Sequence, residues 1–246
     1  MKRHAQVLLL VLTGLGLLHA ALFSDLCLRY VKEGLRPLLI ASGVLLLLLG
    51  VAGAALDRAA PEAGPHAHAH AHGHDHSAAP RIAWLLFLPA LSLLLYAPPA
   101  LGAYTASHAN SKAVPKEQRF DPLPATVPLP MTLTDFTARV QQDREQAVRG
   151  RSIRMTGFVT PAGRAGGWYL TRIIFTCCAA DSQSVKVRMY GPPALPANTW
   201  VAVTGTWHPT GALGTKSATA ALDVHRTEPI SPPVNAYTDD LPLTPS

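Results

Sequence analysis

Residues Pro37 to Leu56 form an unbroken stretch of twenty residues without a charge. A helix of that length covers the ~30 Å hydrocarbon core of a bilayer. Two further uncharged runs flank it, Ala5 to Phe23 and Ile82 to Ala103. The sequence therefore predicts a membrane α-helical domain over 1–103, with three transmembrane helices at about 5–23, 37–56 and 82–103. Pro37 suits a first helical turn, where its missing N–H costs nothing. Pro89 kinks the third run, and Pro98-Pro99 end it. Lys2 and Arg3 ahead of the first run also fit a secretory signal, but the length of the run and the spans that follow favour a retained helix. Gly50 and Ala54 make a small-xxx-small pair that lets a neighbouring helix approach closely.

Composition narrows the rest. Only 15% of residues are charged, against roughly a quarter in ordinary soluble domains. From Tyr104 onward there are 14 Lys+Arg and 10 Asp+Glu, a net charge of +4. That is too diffuse to mark a nucleic-acid partner. Three cysteines, an odd number, argue against a disulfide framework.

Between the second and third runs, His66, His68, His70, His72, His74 and His76 alternate with Ala, Gly and Asp. Such a tract has no apolar face to bury and no reason to order without a ligand. Neutral imidazole is a good ligand for Zn, Cu and Ni, so loop 66–76 is a candidate metal collector. Three spans place this loop on the side of the N-terminus and the C-terminal domain on the other. The basic start of the first span favours an N-terminus inside and the C-terminal domain outside the cytoplasm, although the positive-inside count of the loops leans the other way.

Residues 104–131 carry Pro115, Pro122, Pro124, Pro128 and Pro130 and predict an extended spacer. Thr134 to Val148 predicts one amphipathic helix, capped by Thr134 or Asp135 and stopped by Gly150. Five strands then follow, at about 152–159, 168–175, 184–190, 199–207 and 220–226, with alternating apolar positions. Gly157 and Gly205 fall at inward slots and predict bends or bulges. Five short strands with glycine bends predict an all-β domain over 132–228, a Greek-key barrel of the oligonucleotide/oligosaccharide-binding (OB) type. A β-sandwich is the alternative. Residues 229–246 predict a loose Pro-rich tail.

The chemistry-bearing stretch is Thr176-Cys177-Cys178-Ala179-Ala180-Asp181. Adjacent cysteines rarely bridge each other, because the short tether opposes the preferred disulfide geometry. The pair is then a metal ligand set, a redox pair or buried filler. Zinc wants about four ligands, and Cys177, Cys178 and Asp181 supply three at most. Copper(I) is content with two sulfurs. His208 and His225 are candidates to complete a zinc site. No Cys-x-x-Cys and no neighbouring base mark a catalytic thiol, so no enzyme activity and no organic cofactor are expected. Cys27, beside the first run, reads as a packing residue.

The order of apolar spans, Pro-rich linker, Gly157-Phe158-Val159, Thr176-Cys177-Cys178-Ala179-Ala180-Asp181 and Val203-Thr204-Gly205-Thr206-Trp207 resembles the YcgQ-like family of bacterial membrane proteins. The Cys-Cys-x-x-Asp element is the specific part, matched by Cys177, Cys178 and Asp181. The resemblance implies a multi-pass protein of the cell membrane, with a C-terminal domain of unknown function, working beside a larger polytopic permease. The expected function is an accessory subunit handling a metal or metalloid ion, with Zn or Cu as candidates. The alternative is a docking module that grips a membrane partner and binds no ion.

Overall fold

The computed structural model describes residues 2–24, 26–59, 101–108, 116–117, 119–163, 166–233 and 236–241. They divide into two units. One holds α1 (Lys2–Leu22) as far as Leu15 and α2 (Arg36–Ala59) from Val44. The other holds Gly16–Gly43 and the residues from Leu101 on.

In the first unit, Gly50 is where α2 meets α1. A Cβ on Gly50 would lie 2.8 Å from Val11 Cγ2, and one on Gly53 would lie 3.4 Å from Val7 Cγ2. Gly50, read in the sequence either as a helix-contact residue or as the glycine common in membrane helices, lies against α1. Gly50→Leu is expected to separate the two helices, read as loss of a cysteine crosslink between positions 7 and 53.

Among the described residues, one helix is long and apolar enough to cross a membrane, Glu33–Leu56. Only 11% of its apolar window is buried. The expectation of three spans is not met. The apolar part of α1, Gln6–Leu22, is a shorter helix, because Lys2 and Arg3 occupy its start. Most of the third run lies outside the described residues. Its last residue, Ala103, instead opens α3 (Ala103–His108), which packs on the C-terminal sheet.

That sheet is mixed and has six strands: β1 (Leu129–Pro130), β2 (Ile153–Pro161), β3 (Trp168–Ile174), β4 (Gln183–Tyr190), β5 (Trp200–Trp207) and β6 (Ala221–Pro229). β2 pairs antiparallel with β5 through Ile153–Phe158 and with β3 through Phe158–Pro161. β3–β4 and β5–β6 are antiparallel, and β4–β6 is parallel. The pairings run β2-β3-β4-β6-β5 and return to β2, so five strands form a ring. All five expected strands are present. The sixth, β1, was not expected; it comes from the Pro-rich stretch and pairs parallel with β2, Leu129 beside Ile153. The parallel pairs make the sheet mixed rather than purely antiparallel.

Inside the ring, Ile153, Met155, Leu170, Val187, Met189, Val201, Val203 and Leu222 are buried, with Phe136 and Val140 of α4 (Leu133–Gln142) in the same cluster. Helix α4 is shorter than expected. Thr132, not Thr134, caps it by accepting the Asp135 amide, and Asp143 ends it. Arg139 lies on its buried side, over the Phe120 ring and against Asp135 and Asp143.

The expected spacer and tail are packed in part. Leu129 and Met131 are core residues. Ala103, Ala106 and Tyr237 form a second cluster with Phe158, Ile173 and Phe175. Asp239 accepts the amides of Leu133 and Thr134 at the start of α4. Apolar residues spaced among the prolines give these segments something to bury, which overrides their loop-like composition. Arg172 links β3, β2 and the tail, donating to Thr156 O, Thr156 Oγ1 and Thr238 O. Burial pushes its guanidinium pKa down, with Asp239 and Asp240 pulling it back up.

Candidate metal centre

β3 and β4 run antiparallel, with Ile174 opposite Gln183. The connection between them carries the cysteine pair. Thr176 and Cys177 follow β3, and Ala179–Asp181 form one short 3-10 turn before β4. Asp181 holds this loop together. Its Oδ1 accepts the amides of Thr176 at 3.2 Å and Cys178 at 3.3 Å. Its Oδ2 accepts those of Thr176 at 3.1 Å and Cys177 at 3.0 Å. Three successive N–H groups aimed at one carboxylate make a small anion nest. Desolvation, the largest influence on this carboxyl, raises its pKa, yet hydrogen bonds from the Cys177 amide and thiol and from the Cys178 and Thr176 amides together leave it lowered. A lowered carboxyl pKa stabilises the loop at neutral pH, and that contribution is lost as acid protonates Asp181 below about pH 4.

Wrapping the backbone around Asp181 turns both thiols to one side. Cys177 Sγ and Cys178 Sγ stand 3.7 Å apart, and neither is in a disulfide. Two sulfurs each ~2.3 Å from one tetrahedral ion would stand roughly 3.8 Å apart. Cys177 is exposed and Cys178 half-buried. Ligand atoms of Cys177, Cys178 and Asp181 all lie within 4.8 Å of one another. The three residues singled out in the sequence are thus brought together.

The two sulfurs and the carboxylate are not equivalent. A carboxylate offers about four lone-pair sites, and four amide contacts already engage those of Asp181. Its part is to brace the loop, and the soft donors are the two sulfurs. The Cys177 thiol pKa is raised, first by its hydrogen bond to Cys178 and then by Asp181. It is therefore a proton-carrying thiol at neutral pH and a poor nucleophile. Asp181→Asn removes the charge and puts an NH2 donor where one carboxylate oxygen accepts, so it also loosens the amide nest. It is expected to lower the Cys177 pKa and speed its alkylation at pH 8 by roughly three- to tenfold, followed with iodoacetamide.

Residues from the N-terminal half complete the setting. Val31 forms an antiparallel bridge with Cys178. The Lys32 amide donates to Cys177 O at 3.0 Å, and the Ala179 amide donates to Tyr30 O at 2.7 Å. The sequence gives no sign of this contact, because one bridge between segments so far apart leaves no periodic pattern. Cys27 is half-buried and outside the cluster. His208 does not join it either. It follows β5, bonds Asp223 at 2.7 Å and stacks on Tyr190, at the end of β4 remote from the cysteine loop. His225 is exposed on β6 and also outside the cluster. His66, His68, His70, His72, His74 and His76 lie outside the described residues. Of the aromatic residues that a nucleic-acid barrel would display, Phe158 and Trp168 are buried, whereas Tyr190 is exposed.

The five-stranded ring with its Cys-Cys-x-x-Asp loop is the part of the chain that comparison picks out. Residues 134–238 match the DUF1980 C-terminal domain. No curated protein and no solved structure matches the chain. The DUF1980 match begins in α4 and ends one residue after the buried Tyr237, so it takes in the whole cysteine loop. It also takes in strands β2 to β6, and leaves out β1, α3 and the Tyr30–Lys32 segment that meets the loop. DUF1980 names a domain without an assigned activity, so the match is consistent with a YcgQ-like family and adds no chemistry of its own.

Proposed function

We propose that this protein is a membrane-anchored accessory subunit that takes up a thiophilic metal or metalloid ion at Cys177 and Cys178 for a larger permease. The observation that carries the reading is the sulfur pair, 3.7 Å apart with one thiol exposed. Structural metal sites close all their positions with protein ligands, whereas sites that exchange a ligand keep positions open. Two protein sulfurs leave positions open, which suits an ion passed onward. The raised Cys177 thiol argues against a nucleophile, and an ion taken up there must displace its proton.

On this reading the ring of five strands is an OB-like barrel serving as a rigid mount for the loop. The His-rich tract 66–76 collects ions on the opposite side of a multi-pass membrane domain, and the barrel lies outside the cytoplasm. A docking module that binds no ion is the second reading.

A strain lacking the protein separates the two. It is grown across series of Zn(II), Cu(II) and arsenite, with the wild-type chain or the C177S/C178S chain restored. Ion handling expects altered cell content of one of these ions, corrected by wild type and not by the double variant. Correction by both chains would favour docking, and equal content in every strain would contradict ion handling.

A further inference from the structure

Cys178 sits at the centre of the bridge to Val31 and has extended backbone, φ −154° and ψ 174°. The carbonyl of Cys177 and the amide of Ala179, on either side of it, are the two groups bonded to Lys32 and Tyr30. The backbone that orients both sulfurs is therefore the same backbone that holds the 30–32 segment. One residue beyond Lys32, Glu33 begins the apolar stretch that is long enough to cross a membrane.

We infer that occupancy of the cysteine pair and docking of residues 30–32 are coupled, so that the ion site regulates the root of α2. This inference rests on the ion-binding reading. An ion held by both sulfurs restricts the backbone of Cys177 and Cys178, which favours the paired bridge. By reciprocity, a docked segment pre-orders the sulfurs and tightens ion binding by the same factor. One backbone hydrogen bond sets the scale of that factor at about three- to tenfold.

Lys32→Pro is a selective test. Lys32 has φ −64° and ψ 143°, which proline adopts without strain, and the extended residue before it is also compatible. The substitution removes the amide that reaches Cys177 O and leaves both sulfurs in place. The probe is arsenite alone on the full chain in detergent. As(OH)3 and two thiols give a dithiolate with one remaining hydroxide, and the two thiol protons leave with two hydroxides as two waters. Arsenite prefers such soft sulfur donors, so the histidine tract does not obscure the reading.

The expected result is one arsenite per chain in wild type and K32P, with K32P weaker by about three- to tenfold. In wild type, arsenite is expected to slow hydrogen exchange at the Ala179 amide by a similar factor. This second reading stands even where K32P fails to fold. Equal affinities together with unchanged Ala179 exchange would overturn the coupling and leave the ion site standing. A wild-type chain that takes up no arsenite would overturn both.

Discussion

Replacing Cys177 and Cys178 together by serine is expected to abolish high-affinity binding of one ion by the full chain while leaving the fold intact. The loop is held by the Asp181 carboxylate and three backbone amides, and neither thiol belongs to the buried core. Serine keeps the shape and removes the soft donor. Each single variant is expected to weaken binding by about 100-fold, since a two-sulfur chelate becomes a single contact. Calorimetric titration gives the affinities, and amide spectra check the fold. Binding is also expected to tighten as pH rises, because the thiols must lose their protons to bind. The raised Cys177 pKa carries that rise beyond the pH at which an ordinary thiol levels off. A pH-independent affinity would point to ligands other than these thiols.

Gly205→Val is expected to give the largest loss of stability in the barrel. A Cβ at Gly205 would lie 2.2 Å from Asp223 O and 2.9 Å from Leu222 Cδ2. The strand register shifts between Thr204 and Gly205, so the glycine marks the bulge where β5 and β6 bend together. The obstruction is backbone, which cannot rotate away as a side chain can. Overpacking costs typically 1–3 kcal/mol, and a backbone clash in a closing strand belongs at or above the top of that range. For a domain of this size, a loss of about 3 kcal/mol lowers Tm by roughly 10 °C or more. Thermal unfolding of the full chain measures it, and a fall of less than about 3 °C would contradict this account of ring closure.

Local pattern was enough for much of the fold. Alternation in Ser184–Tyr190 and Thr199–Trp207 marks β4 and β5 because one face of each strand packs into the ring. Gly205 announces the bulge, and at both Gly157 and Gly205 no side chain fits against the neighbouring strand. What stayed hidden depends on distant partners. β1 has two residues and needs β2 beside it. Tyr237 and Asp239 look like loose tail until Phe175 and the start of α4 supply their contacts. Arg139 and Arg172 are each buried against residues remote in the chain. At the site, Cys177, Cys178 and Asp181 were legible as a group because they are adjacent. The role of Asp181 as a brace, and the approach of Tyr30–Lys32, were not, because both are backbone contacts that leave no mark on side-chain pattern.

X-ray absorption at the zinc edge, on the full chain with His66, His68, His70, His72, His74 and His76 replaced by alanine and loaded with one equivalent of Zn(II), addresses the sulfur pair most directly. The predicted first shell contains two sulfurs at about 2.3 Å, completed by lighter atoms. A first shell of nitrogen and oxygen alone would mean that the ion resides elsewhere in the chain, and the function proposed for Cys177 and Cys178 would be wrong.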